Sequence, residues 1–295
     1  MNRESERIFR EMHKVMEGQS LESEEQVNEF VSNFMKGYHD TPPKNQKLDS
    51  YDYLEMAEGA DTAEEAIKYA QKALKLDPYC LDAEMIIAQA KSETIDDFKK
   101  NLEKIIQKGE KQLIQRGISM EEDAGQFYGI LQTRPYMRIR KAYLDLLLEM
   151  GRFRSAVSEA EELLRLCEND NLGIRYSLMA LYSYFEEESK TLELFQKYKE
   201  DTAFMLLPLI ALYYKIDNAK KMRTYILKLK NKNPDFQKAL EIIMSGDEEE
   251  LSEFTSMEMY RPFSVEEVIL AISEGAYLYL PMNHFLLRLY EETVA

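Results

Sequence analysis

A spacing of small and apolar residues recurs along this chain, and it narrows the possible folds further than any other feature. Residues 61–78, DTAEEAIKYAQKALKLDP, set Ala66, Ala70 and Ala73 at helical intervals and end at Pro78. The spacing returns in Gly151, Ala156, Ala160 and Leu163, with Glu168 in the proline's place, and again from Asp217 through Met222, Ile226 and Leu229 to Pro234. A weaker copy runs from Glu186 through Thr191, Phe195 and Tyr198. Turns at Gly151, Glu186 and Asp217 are thus 35 and 31 residues apart. A period of that length belongs to two-helix units that cannot bury an apolar face alone and must stack on their neighbours. The scarcity of turn formers, 11 Gly and 8 Pro in 295 residues, fits helices joined by short connections.

The pattern predicts helices near 51–59, 63–76, 81–91, 93–115, 135–150, 153–167, 172–185, 189–199, 202–215, 217–231, 235–244, 264–275 and 282–292. Residues 1–45 read as a helical preface and linker: the preface, 1–40, has Phe30, Phe34 and Tyr38 at helical spacing, and the polar, proline-paired linker TPPKNQKLD starts at Thr41. Residues 46–246 read as the repeat body and 247–295 as a capping tail that opens on the acidic run DEEELSE. Ser264 is placed to cap a helix there, with Glu266 and Glu267 in its first turn. The stretch TAFMLLPLIALYYK, 202–215, is apolar almost all round, as a helix sandwiched between others must be, and Pro208 inside it predicts a kink.

These residues resemble the tetratricopeptide repeat, a helix-turn-helix of about 34 residues with small residues where its second helix crosses the first and a proline after its end. The resemblance spans residues 50–245 and implies an all-α fold, a right-handed superhelical solenoid of degenerate repeats with a concave inner wall. A narrower resemblance rests on GQFYGILQTRPYMRIR, on NDNLGIRY some thirty residues later, and on the preface, Ala66 to Pro78, Gly109-Glu110 and the tail from Tyr260 to Leu287. These are similar to a bacterial subfamily of tetratricopeptide-repeat proteins, distantly similar to the suppressor-of-tumorigenicity type. That resemblance implies a solenoid without catalytic activity.

One segment departs from the background. Residues 133–141 hold four positive charges and no acid in a chain of net charge −16. Pro135 suits the first turn of a helix, on which Arg134, Arg138 and Lys141 form a cationic stripe. Asp170 or Asn171 is placed to cap a second helix, carrying Arg175 and Tyr176, and Arg138 and Arg175 share the offset of the two helix starts. Stacked side by side, two helix N-termini flanked by guanidinium groups and the phenols of Tyr136 and Tyr176 would suit a carboxylate or phosphate. Thr133 adjoins the first start, and Phe127 and Tyr128 would lay an aromatic wall beside it. Against this stands the alternative that the arginines serve Asp170, Glu159 or Glu162 inside the molecule and that residues 169–171 are a turn and nothing more.

No phosphate-binding loop, dinucleotide fingerprint, HExxH, GxSxG or paired Cys and His occurs, and His13, His39 and His284 lie far apart. No catalytic residue, metal site or cofactor is therefore expected. The negative charge disfavours nucleic acid and membrane surfaces alike. No stretch reaches the roughly 20 apolar residues of a membrane span, and no secretory leader is evident, so Cys80 and Cys167 are expected to be reduced thiols of a soluble cytoplasmic protein. The leading expectation is a non-enzymatic interaction scaffold that holds a peptide, or an acidic or C-terminal segment of a protein partner, in the concave groove. The alternatives are a sensor whose pitch changes with a bound peptide or metabolite and, more weakly, an enzyme using Glu110, Glu121, Glu122 and Asp123 on the irregular interval 92–132.

Overall fold

In a computed structural model the described residues are 4–16, 23–37, 48–255, 259–282 and 284–294. Of the expectations above, Tyr38, His39 and residues 41–47 of the linker lie outside them. The chain divides into two compact units, residues 1–91 and 92–295. Among the described residues every regular element is helical, and one isolated bridge joins Gln126 to Cys167.

The first unit holds α1 (Glu4–Met16), α2 (Glu24–Gly37), α3 (Ser50–Glu58), α4 (Ala63–Leu76) and α5 (Leu81–Lys91). Phe30 and Phe34 stack at 6.3 Å on α2, as their spacing predicts. Asp49 opens α3 with a reciprocal capping box to Asp52. Leu54, Ala57, Ala70, Ala73 and Ala83 form the small core of this unit. The alanines at 70 and 73 keep α4 close to its neighbours, the role their spacing implies.

The second unit runs α6 (Ile95–Gln115), two 3-10 turns at Phe127–Gly129 and Leu131–Thr133, then α7 (Arg134–Glu149), α8 (Phe153–Leu166), α9 (Ile174–Tyr184), α10 (Glu188–Tyr198), α11 (Ala203–Lys215), α12 (Ala219–Lys232), α13 (Phe236–Ser245), α14 (Glu248–Thr255), α15 (Val265–Glu274), α16 (Ala276–Tyr279) and α17 (Phe285–Val294). Most boundaries fall within two or three residues of the sequence pattern. The acidic run read as punctuation forms α14 instead, because consecutive glutamates are good helix formers.

The turns that join α7 to α8, α9 to α10 and α11 to α12 are the same turn. Gly151, Glu186 and Asp217 all adopt positive φ, at 66°, 60° and 54°. In each case the following N–H bonds back five residues: Arg152 to Leu147 O at 2.8 Å, Glu187 to Tyr182 O at 2.9 Å, and Asn218 to Tyr213 O at 2.8 Å. This left-handed ending satisfies carbonyls that the helix leaves open. Only the first copy has glycine. Glu186 and Asp217 adopt a conformation that costs an L residue about 1 kcal/mol or more.

Helix α11 is buried from Ala203 to Tyr213. It packs on α9 and α12 and also on α15, which accounts for its apolar circumference, and it runs unbroken through Pro208. The tail is thus more than an end cap. Its Tyr277 stacks on Phe153 at 4.8 Å and its Tyr260 lies 5.6 Å from Phe204. At Gly275 an added Cβ would sit 2.5 Å from the ring of Tyr279 and 3.1 Å from the carbonyl of Ala271. Tyr279 is 1% exposed and has no room to yield. Gly275→Ala is therefore expected to cost about 1–3 kcal/mol by overpacking, visible as a lower urea midpoint at unchanged slope.

Candidate functional site

The anchor of the predicted cationic site is the loop before α7. Gly125, at φ 89°, lets its carbonyl accept from Glu168 N–H at 3.0 Å, and the adjacent Gln126–Cys167 bridge ties the loop to the end of α8. Phe127 is turned inward and fully buried, 6.5 Å from the ring of Tyr136, itself 1% exposed. Burial pushes the Tyr136 phenol up. Thr133 is buried too, and its hydroxyl donates to the carbonyls of Phe127 and Ile130, which fixes the 3-10 path into α7. The expected aromatic wall is therefore corrected: Phe127 and Tyr136 are core, and only Tyr128 remains near the surface. There Arg134 lies 4.9 Å over the Tyr128 ring, with Nε donating to its carbonyl at 2.9 Å. Arg138 is 6% exposed, so the expected outward stripe on α7 is broken at its second member.

The second helix start differs more. The sequence places it at residue 172, but Gly173 takes φ 69° and delays α9 to Ile174. Asp170, itself at φ 48°, then reaches across the turn. Its carboxylate accepts from Ile174 N at 2.7 Å and Arg175 N at 3.0 Å, so the N-terminus of α9 already holds an anion, the protein's own. Arg175 consequently lies in the first turn of its helix, out of step with Arg138. Its Nη1 meets Asp170 Oδ2 at 2.7 Å, its Nη2 meets Glu200 Oε1 at 3.0 Å, and it stacks 4.2 Å over Tyr176. Burial opposes its charge, but the hydrogen bonds to Asp170 and Glu200 outweigh that and raise its pKa. Tyr176 donates to Glu200 at 3.1 Å and packs on Phe204 at 4.9 Å. Asn171 is exposed, its side-chain oxygen 3.3 Å from the Cys167 thiol. For Arg175 and Tyr176, the internal reading is the one the geometry presents.

Arg140, the fourth cation of the segment, forms a two-pronged bond to Glu159 at 2.6 and 2.9 Å and reaches the Tyr136 hydroxyl at 3.3 Å. Glu162, shared with Arg165 and Arg140, is held below the usual carboxylate range. Another basic element went unremarked in the sequence. Helix α12 carries six cations and no acid, yet Lys221 pairs with Glu188 at 2.7 Å, Arg223 with Glu292 at 2.8 Å and Lys228 with Asp201 at 2.5 Å. Its charge is largely answered within the unit.

An open groove of about 740 Å³ lies elsewhere, between the α11–α12 turn and α17. Tyr213, Tyr214, Met222 and Leu287 line it, together with the cations Lys215 and Arg288, the acids Asp217 and Glu291, and His284. Arg288 is 41% exposed and shares Glu292 with Arg223. Only the coming together of α11, α12 and α17 builds this groove, so no local pattern could have announced it. Among the described residues no group of acidic, His and Cys side chains could hold a metal ion, and no helix is long and apolar enough to cross a membrane. Compared with known proteins, the chain matches no family model and no curated sequence.

Proposed function

We propose that the chain is a non-enzymatic scaffold of the tetratricopeptide type that holds a protein segment. The observation that carries this reading is the identical left-handed turn closing three successive helix pairs, with the groove opening beside the last of them. Repeats of this kind stack into extended binding surfaces. The groove has the size of a site for a few side chains and offers apolar walls with charges of both signs, among which Lys215 and Arg288 would meet an acidic or carboxylate-ended segment. We assign the segment to this groove ahead of the α7 and α9 starts, because Asp170 and Glu200 hold Arg175 at 14% exposure, whereas Arg288, though paired with Glu292, is 41% exposed. Both cysteines are free thiols, in keeping with a reducing cytoplasm.

Titration of fluorescent acidic-tailed peptides against the full chain tests this. Leu287 is 44% exposed, so Leu287→Asp leaves the core intact while charging the apolar wall. It and Arg288→Ala are each expected to weaken binding by about tenfold or more. Loss confined to Arg138→Ala would move the site back to α7, and peptides that bind none of these proteins would sink the reading.

A further inference from the structure

We propose that residues 259–282 form a proton-linked clasp, docked on α11 while Glu267 is neutral and released locally when Glu267 is charged. The clasp is built around one buried side chain. Glu267 is 0% exposed. Its Oε2 accepts from Phe263 N at 3.1 Å and lies 3.5 Å from Asn233 Nδ2, and the backbone N–H of Ala203, the first residue of α11, is close enough to lower its pKa. Asn233, also fully buried, donates to Ser264 O at 2.9 Å, so one amide and one carboxyl bind the start of α15 to the end of α12 and the start of α11.

Two features load this clasp with cost. Oε1 of Glu267 is buried with no hydrogen-bond partner, as is Oγ1 of Thr202, the residue next to Ala203. Phe263, which supplies one of the donors, sits at φ 59°, a conformation that bulky residues avoid. A charged carboxylate with one unsatisfied oxygen in such a place is expensive, and a proton on Oε1 removes the charge. Burial raises the Glu267 pKa above its ordinary value of 4.5, against the lowering effect of the Phe263, Ala203 and Asn233 donors.

Among the described residues no cation pairs with Glu267 to hold the charge instead. On its own segment the neighbouring groups are Tyr260, the Arg261–Glu266 pair at 3.3 Å and Glu274, two turns along α15, whose pKa burial also raises. The helices packed on α15 carry Lys238 and Glu241 on α13, Glu249 and Glu253 on α14, and Tyr277 and Tyr279 on α16. Lys215 stands at the opposite end of α11, and Asp201 is engaged by Lys228 and Lys232. Of these Tyr260 is coupled to Glu267, whose charge raises the phenol's pKa, while the carboxyl's own balance is set first by burial and then by its neutral donors.

The sign follows from linkage. The docked form binds the proton more tightly than the open form, so docking is strongest below the open-state value and weakens as pH rises through the docked one. Opening delivers the proton to water and uncovers Phe204 and Pro208 of α11 and Tyr176 and Ala180 of α9, which now line a slot of only about 20 Å³ against Ala271, Gly275 and Tyr277. The neighbouring contact of α17 runs the other way. Arg223 holds Glu292 below the usual carboxylate range, so that contact loosens on acidification.

Hydrogen exchange of the full-length chain from pH 5 to 8, corrected for the intrinsic rate at each pH, tests the clasp. In the wild type the opening of 259–282 is expected to rise with pH, by up to about tenfold per unit between the two Glu267 values. Glu274 lies in the same segment with its pKa also raised by burial, so in Glu274→Gln the rise should persist and in Glu267→Gln/Glu274→Gln the opening should stay flat, near the wild-type low-pH level, while the exchange of α17 keeps its own profile. Parallel profiles in the wild type and the double variant, or a profile already flattened by Glu274→Gln alone, would overturn the proposal, as would α15 exchanging only together with α11. An infrared band of a protonated carboxyl in the wild type, fading as opening rises, supports it without a variant; its absence across this range counts against it.

Discussion

Arg175→Ala is expected to lower the stability of residues 92–295 by about 3–5 kcal/mol, the usual effect of stripping the partner from a buried charge. Asp170 has no exposed side-chain surface and would keep its carboxylate with only two backbone N–H donors. Asp170→Ala removes the same pair from the other side, loses the cap of α9 and leaves alanine at a positive φ, so it should be at least as damaging. Asp170→Asn keeps one of the two accepting oxygens and a residue that tolerates that backbone, and should cost less than Asp170→Ala. Urea unfolding of the three variants ranks them. Near-wild-type stability of Arg175→Ala would show that the guanidinium is idle in the fold and available to a ligand.

The second large effect lies one helix pair earlier. Arg140 and Glu159 have side chains only 11% and 10% exposed and meet in a two-pronged bond. Arg140→Ala should cost about 3–5 kcal/mol because Glu159 is left charged and alone. The double substitution Arg140→Met/Glu159→Leu should recover most of that loss, since a well-packed apolar pair often equals or exceeds a buried ion pair. Comparing both single variants with the double one isolates the coupling. A double variant as unstable as the sum of its parts would assign the cost to lost packing and not to the stranded charge.

Helix positions were legible because they depend on local periodicity. The recurrences at Ala156, Ala160 and Leu163, and at Met222, Ile226 and Leu229, place residues that are buried in α8 and α12. The turns at Gly151, Glu186 and Asp217 were legible as repeats even where glycine had been replaced, because spacing survives a change of residue type. The site was legible only as a collection of cations. Which arginine is engaged depends on partners 19 to 25 residues away, Glu159 for Arg140 and Glu200 for Arg175, and on a turn at Gly173 that moves α9 by two residues. Glu267 shows the same limit. Its place in a first helical turn is visible from Ser264, but its burial is not, since the N–H of Ala203 and the amide of Asn233 come from other helices.

Periodicity, capping residues and the scarcity of turn formers are short-range, and by themselves they determined that this polypeptide is helical and where most helices begin and end. Charge pairing, the groove beside α17 and the covering of α11 by the tail were decided only by tertiary structure. The reason is physical: a helix propensity acts within a few residues, whereas burial and the partner of a charge depend on which distant segments share the same few ångströms.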